Sequence, residues 1–180
     1  EVELRKYCTI KKLDGVLEQL RWKYNYILID SPPNRNFFSE SSIYAADVVL
    51  IPAKHNDIFS LKNAAVVVTQ FIPKIQKLKN DGSPIALPIF FNGEKMTDAQ
   101  KRRADEMIIN LIKEAKKKED FDLLPYFYPK AAKAKEDTSI FELPNHAIIA
   151  EAAFKGKPAV YLHIAARDYY LQLAKEYFIL

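Results

Sequence analysis

Glycine is scarce in this sequence. The 180 residues hold 4, at positions 15, 82, 93 and 156, where average usage of about 7% would give roughly three times as many. No two lie close enough to build a phosphate-cradling loop, so GxGxxG and GxxxxGK(S/T) are both excluded within the chain. Cysteine is scarcer still. Cys8 stands alone, which excludes an internal disulfide framework and any multi-cysteine zinc site, and fits a reducing compartment. His55, His146 and His163 are far apart and form no HExxH, and GxSxG is absent, so zinc-hydrolase and serine-hydrolase chemistry have no support. No apolar run reaches the roughly 18 residues of a membrane span. The N-terminus lacks the basic, apolar and small-residue pattern of a signal peptide. The chain begins at Glu1 rather than methionine, which raises the expectation of a missing upstream segment. A net charge of +4 and a pI near 9.0 allow an acidic partner without requiring one.

What is present is a regular alternation. Ile10, Leu13, Val16, Leu17 and Leu20 recur at helical spacing and predict a helix over Lys11 to Lys23. Tyr26-Ile27-Leu28-Ile29 is a continuous apolar run, the habit of a strand buried on both faces, closed by Asp30-Ser31-Pro32-Pro33-Asn34. A short helix is expected over Phe38 to Ala45. A second strand is expected over Asp47 to Ile51, stopped by Pro52. Ile58 to Lys79 reads as a long helical stretch with a kink at Pro73, and Asn80 to Pro84 as a turn. Ile85 to Phe91 is a third strand, ending at Asn92-Gly93.

The next helix carries the best local signals. Thr97-Asp98-Ala99-Gln100 is a capping box, and Ala104, Met107, Ile108, Leu111, Ile112 and Ala115 form an apolar stripe. Phe121 to Tyr128 is expected to be a fourth strand, near an edge because of Pro125. Pro129 to Pro144 reads as a long loop or weak helix, Ile148 to Phe154 as a short helix stopped by Gly156. A final helix is striped by Leu162, Ala166, Tyr169, Tyr170, Leu173 and Tyr177. Strands alternating with amphipathic helices predict one α/β domain over residues 1–180, with a doubly wound, mostly parallel sheet and helices on both faces, a Rossmann-like three-layer arrangement.

In such sheets ligands bind beyond the carboxyl ends of the strands. That rule selects Asp30 with Ser31-Pro32-Pro33, Pro52 with Ala53 and Lys54, Asn92 with Gly93 and Glu94, and Pro129 with Lys130. Four hydrophobes and then an aspartate is the arrangement that holds nucleotide-bound magnesium, often through water; a strand-ending aspartate that caps a turn gives the same pattern. Asn92 can both donate to and accept from a base edge, and is also an ordinary turn residue. Lys101, Arg102, Arg103, Lys113, Lys116, Lys117 and Lys118 give the capped helix the footprint of a nucleic-acid surface, extended by Lys130, Lys133 and Lys135. Six acidic residues between Asp98 and Asp120 dilute it. The tyrosine-rich last helix lacks the basic polar face of a membrane-surface helix.

Together, Tyr24-Asn25-Tyr26-Ile27-Leu28-Ile29-Asp30-Ser31-Pro32-Pro33 and Ala45-Ala46-Asp47-Val48-Val49-Leu50-Ile51-Pro52 resemble the Walker B region of ParA/MinD-type deviant-Walker P-loop ATPases. Ser60-Leu61 after Pro52 fits the same pattern, as does Glu151 to Pro158, which resembles the family's "EA---GKP" segment. The resemblance implies a P-loop NTPase-like fold and an ATP-dependent homodimer. It also implies nonspecific DNA binding, a role in plasmid or chromosome segregation, and a cytoplasmic, nucleoid-associated setting. A ParB-like or other partner would stimulate hydrolysis. By position, Asp30 would be the indirect magnesium carboxylate with Pro32 beside it, Asn92 the adenine-contacting asparagine, and Pro129-Lys130 the loop bordering the adenine.

The family's glycine-rich KGGxGKT-like loop and its first-switch aspartate have no counterpart in this sequence. Residues 131–145 match the family poorly. The resemblance therefore implies the C-terminal two-thirds of a ParA-like ATPase domain, with ATP and Mg2+ bound by the complete protein and neither ATP binding nor ATPase activity expected of these 180 residues alone. Two alternatives stand beside it: a degenerate, non-catalytic DNA- or protein-binding module, and a small α/β domain with an unrelated ligand at the Asp30 edge.

Overall fold

A computed structural model of the chain describes residues 8–32, 36–93, 96–131, 140–143 and 147–178. The chain divides into two compact units, one of residues 1–50 and 67–86, the other of residues 51–66 and 87–180.

The first unit is built around a helix of small and aromatic residues. Helix α1 is Lys12–Glu18 and α2 is Phe37–Ala45. The expected Lys11–Lys23 helix thus gives way after Glu18 to turns closed by Lys23 N–H on Leu20 O. Asn36 caps α2, its side-chain oxygen accepting from Ser39 N–H at 3.0 Å. Helix α2 buries three serines, each with a backbone acceptor: Ser39 Oγ donates to Pro32 O, Ser41 Oγ to Ile10 O and Ser42 Oγ to Phe38 O. Burying a hydroxyl is tolerable only when it is bonded in this way.

Strand β1 is Val48–Val49. Helix α4, Ile72–Lys79, packs on α2 and ends at Asn80 in the left-handed conformation, with φ of 58°. Strand β3, Ile85–Ala86, pairs in parallel with β1. Phe37, Ile43 and Tyr44 of α2 form the buried set with Val68, Ile72 and Ile75.

The second unit holds a three-stranded parallel sheet in the order β2–β4–β5. Here β2 is Pro52–Lys54, β4 is Phe90–Asn92 and β5 is Glu142–Leu143. Helix α3, Ile58–Val66, and the long α5, Asp98–Glu119, pack on one another, and α3 also packs on β2. A single turn, α6 (Leu124–Phe127), follows α5. The chain ends in α7 (Ala147–Phe154), α8 (Ala159–Leu162) and α9 (Ile164–Tyr177). Phe91, Phe127, Leu61, Ile89, Ile108 and Leu123 are fully buried. Tyr177 of α9 packs its ring against Phe90 and Phe141.

The parallel strands and amphipathic helices make this an α/β, P-loop NTPase-like fold, as expected. Several elements differ from expectation. Among the described residues Tyr26–Ile29 joins no sheet: Tyr26 is 67% and Leu28 84% exposed. An apolar run becomes a strand only where a neighbour accepts its ladder, and no described strand pairs with this one. Pro52 does not stop the second strand but opens β2. It is tolerated there because the bond at that point runs the other way, from Phe90 N–H to Ile51 O.

The expected Ile85–Phe91 strand is split into β3 and β4, with Pro88 between them. Phe121 to Tyr128 is not a strand: Pro125 sits in the first turn of α6, where a missing N–H costs nothing, and Asp122 Oδ1 accepts from Leu124 N–H. The Ile58–Lys79 stretch breaks as a π-helical turn, Val67–Phe71, just ahead of Pro73. Strand β5 lies within the expected loop. Residues 132–139 and Pro144 of that loop, with Lys133 and Lys135 among them, lie outside the described residues.

The capping box of α5 forms as expected. Thr97 N–H donates to Gln100 Oε1 at 2.8 Å, and Gln100 N–H donates to Thr97 Oγ1 at 3.3 Å. Thr97→Ala should cost about 1 kcal/mol of stability, read as a lower denaturant midpoint with an unchanged slope.

Candidate functional site

Because β2, β4 and β5 run in parallel, their carboxyl ends share one edge. Lys54 is in register with Asn92, and Asn92 with Leu143. Two of the strand-end positions selected from the sequence therefore lie side by side. The chain leaves β2 through Lys54-His55-Asn56-Asp57 and enters α3, whose N-terminus Asp57 caps by accepting from Phe59 N–H at 2.8 Å. Ser60 Oγ accepts from Lys54 N–H at 2.9 Å and pins the same loop.

Asn92 ends β4 with an exposed side chain, free of the sheet interior. Gly93 follows because nothing larger fits: a Cβ there would stand 2.7 Å from Glu142 Oε1 and 2.8 Å from Leu143 O. Glu94 lies outside the described residues. Pro129 is half-buried and Lys130 exposed. They follow Tyr128, whose hydroxyl is pushed up to about 12 by burial and then by the Asp105 charge. The α6 turn is tied to the approach of β4 by Ile89 N–H on Tyr126 O at 2.8 Å.

Asp30 and Pro32 belong to the first unit. Both are exposed, and the carboxylate of Asp30 follows an irregular segment rather than a strand. The expectation of an aspartate poised at a strand end is corrected accordingly. Pro32 O accepts from Ser39 Oγ at 2.9 Å, which fastens this loop to the first turn of α2; Pro33 is outside the described residues. One exposed carboxylate suffices for Mg2+ when phosphates and water supply the other ligands, so Asp30 fits a single-carboxylate role. Among the described residues no group of three or more acidic, histidine or cysteine side chains could hold a metal by itself.

The seven basic residues singled out on α5 are all exposed. Ala104, Ile108 and Ala115 face inward. Directly opposite, Arg102, Glu106, Ile109, Lys113 and Lys117 follow one another at three- and four-residue steps, with Arg103 flanking them. The three cations of this row, with Glu106 and Ile109 between them, span about 22 Å along the helix at 1.5 Å per residue. Lys101 lies to one side. Lys116 is engaged by Asp120 at 2.8 Å, and this hydrogen bond raises the lysine and lowers the aspartate. Lys118 is likewise engaged by Glu114. The useful charge is thus narrower than the sequence count, centred on Arg102, Arg103, Lys113 and Lys117.

His55 was marked by nothing in the sequence, where a lone histidine between polar residues gives no periodic signal. Its ring is 5% exposed and lies on Phe91, centroids 4.7 Å apart. Its Nε2 is 3.5 Å from Asp105 Oδ1 of α5.

Two hollows lie elsewhere. The first unit has a polar one of about 350 Å³ bordered by Asp14, Arg21, Asp47 and Lys79. Arg21 spans it with Nη1 at 3.0 and 2.8 Å from the two Asp47 oxygens. The other, about 500 Å³ and apolar, is bordered by Ile149, Ala152, Pro158 and Tyr170. Among the described residues no helix is long and apolar enough to cross a membrane.

A family model described as an AAA domain matches residues 1–85. The chain is similar to the sporulation initiation inhibitor protein Soj of Bacillus subtilis (strain 168), 26% identical over 167 residues, covering 92% of this chain and 56% of Soj. It therefore spans about half the length of the curated relative it matches. No solved structure matches the chain. Parallel strands, strand-end polar residues and this similarity together support a relationship to the ParA/MinD-type P-loop ATPases.

Proposed function

We propose that these residues form the C-terminal part of a ParA-like partition ATPase domain, and that the outward face of α5 binds nucleic acid without regard to sequence. The observation that carries this reading is the row Arg102, Lys113 and Lys117 with Arg103 beside it, exposed opposite the buried stripe of α5. Cations held on a rigid helix meet backbone phosphates by charge, and such contacts carry no sequence information. Lys116 and Lys118, already paired, contribute less.

In the complete protein, Asp30 would hold Mg2+ indirectly, Asn92 would read the adenine edge and Pro129 would border it. ATP would supply the phosphoryl group transferred to water, Mg2+ would offset the phosphate charge, and two copies would close over the nucleotide. A ParB-like partner would stimulate turnover, in a nucleoid-associated, cytoplasmic setting. The glycines of this sequence build no phosphate cradle, so the residues here bind and position rather than hydrolyse.

A non-catalytic binding module is the second reading, favoured by the exposed, sheet-free setting of Asp30.

Counterion release gives the test. Four phosphate contacts predict a slope of about −3.6 in log affinity against log salt, so affinity for a random duplex should fall about a hundredfold between 50 and 200 mM salt. Binding should be equal for duplexes of unrelated sequence. Salt-independent binding, or none at 50 mM, would remove the α5 reading.

A further inference from the structure

His55 and Asp105 stand in an arrangement that becomes an ion pair only when the imidazole is protonated. His55 is buried in the loop after β2, its ring against Phe91, and neither ring nitrogen has a hydrogen-bond partner among the described residues. Nε2 faces Asp105 Oδ1 at 3.5 Å, beyond the range of a good hydrogen bond. A neutral imidazole has one N–H and no charge; the protonated ring has two N–H groups and a full positive charge. Asp105 lies on α5 between Arg103 and Lys113, so its carboxylate subtracts from the field of the cationic row.

We infer that protonation of His55 closes an ion pair with Asp105, and that this pair is a pH-sensitive latch joining the strand-end loop to α5 and raising the positive charge that α5 presents to a polyanion. The inference rests on the nucleic-acid reading of α5 for its consequence, though not for its geometry.

The neighbouring groups leave Asp105 as the responding partner. Tyr128, from the turn after α6, feels Asp105 but stays protonated, since burial pushes it up to about 12. Asp57, in the same loop as His55, is engaged in capping α3 through Phe59 and Ser60 N–H. Lys54 precedes His55 and its side chain is exposed. Lys101 lies one helical turn before Asp105 on α5 and adds a like charge to that of protonated His55. The sign follows from the pair itself: it exists only while His55 carries a proton, so it strengthens as pH falls and is lost as pH rises.

The test uses the whole chain, a random duplex at 50 mM salt, and pH 6.0 against pH 8.0. Wild type should bind about tenfold more tightly at pH 6.0, the effect of about one extra phosphate contact at this salt. His55→Phe should lose most of that gain. Asp105→Asn, at a half-exposed position that should tolerate the change, should bind tightly at both values. His146 and His163 remain in every variant and set the background. Equal pH dependence in wild type and His55→Phe would overturn the latch.

A second arm needs no DNA: Asp105→Asn should lower the melting temperature at pH 6.0 but not at pH 8.0. An equal change at both values would also overturn the latch. If wild type binds no duplex at either pH, the reading of α5 fails, while the melting comparison still decides the latch.

Discussion

Replacing Arg102, Lys113 and Lys117 together with glutamate should reduce duplex binding by roughly two orders of magnitude or more at 50 mM salt, and should flatten the salt dependence by about one unit of slope per residue. These three follow one outward line on α5, opposite Ala104, Ile108 and Ala115. Each reversal removes a counterion-releasing contact and adds a charge that phosphate repels. The folded state should hardly notice, because all three side chains are exposed and surface changes of this kind usually stay within about 0.5 kcal/mol. Lys116→Glu is the internal comparison. Its ammonium is already held by Asp120 at 2.8 Å, so its loss should weaken binding less than the loss of Lys113. Reversing Lys101, Arg102 and Arg103 should also weaken binding for every DNA sequence, with Arg102 and Arg103 carrying most of the effect. Unchanged affinity after both triple reversals would exclude α5 as the binding face. Circular dichroism alongside would show that the helix survives.

The largest effect on stability is expected from Phe91→Ala. Phe91 is fully buried in the central strand of the β2–β4–β5 sheet, paired in register with Ala53 on one side and Glu142 on the other. Its ring also supports the buried imidazole of His55. Truncation removes the transfer energy of the ring and leaves a cavity that a sheet interior closes poorly, a cost of about 3–5 kcal/mol. That is a large share of the roughly 5–15 kcal/mol by which domains are stable. Denaturant unfolding should show a much lower midpoint. Asn92 and Gly93 follow directly, so the strand-end site should loosen with it. A loss under about 1 kcal/mol would mean that β4 is not the centre of this core.

Helix α5 was legible in advance because everything that makes it is local. Thr97 and Gln100 cap it within four residues, and its apolar stripe repeats inside one continuous segment. Both properties are present whatever the rest of the chain does. The turn beginning at Asn80 and the helix stop at Gly156, where φ is 58° and 61°, were legible for the same reason: a turn residue carries its preference with it. The α/β class was legible because alternating patterns survive errors at their edges.

The strands were harder. Tyr26-Ile27-Leu28-Ile29 and Asp47 to Ile51 look alike in sequence, yet among the described residues the first joins no sheet while Val48–Val49 pairs with Ile85–Ala86. Strand status depends on a distant partner, and the apolar run does not say whether one arrives. Glu142–Leu143 gave no signal at all, since two residues in a polar stretch become a strand only because Phe91 and Asn92 lie beside them. Pro125 was misread for a related reason. Proline weakens a strand and begins a helix equally well, and Asp122 capping Leu124 chose the helix.

The candidate site divides along the same line. The sequence by itself determined the basic helix, its cap, the α/β class and the absence of a glycine-built phosphate loop, all of which rest on neighbours within a few residues. The pairing of Lys116 with Asp120, four residues on, is local as well; tertiary structure decided which strand-end groups meet. It set Lys54 beside Asn92, left Asp30 outside any strand, and buried His55 against Phe91 facing Asp105. Those outcomes depend on parallel ladders and packing between residues tens of positions apart, where local propensity has no say.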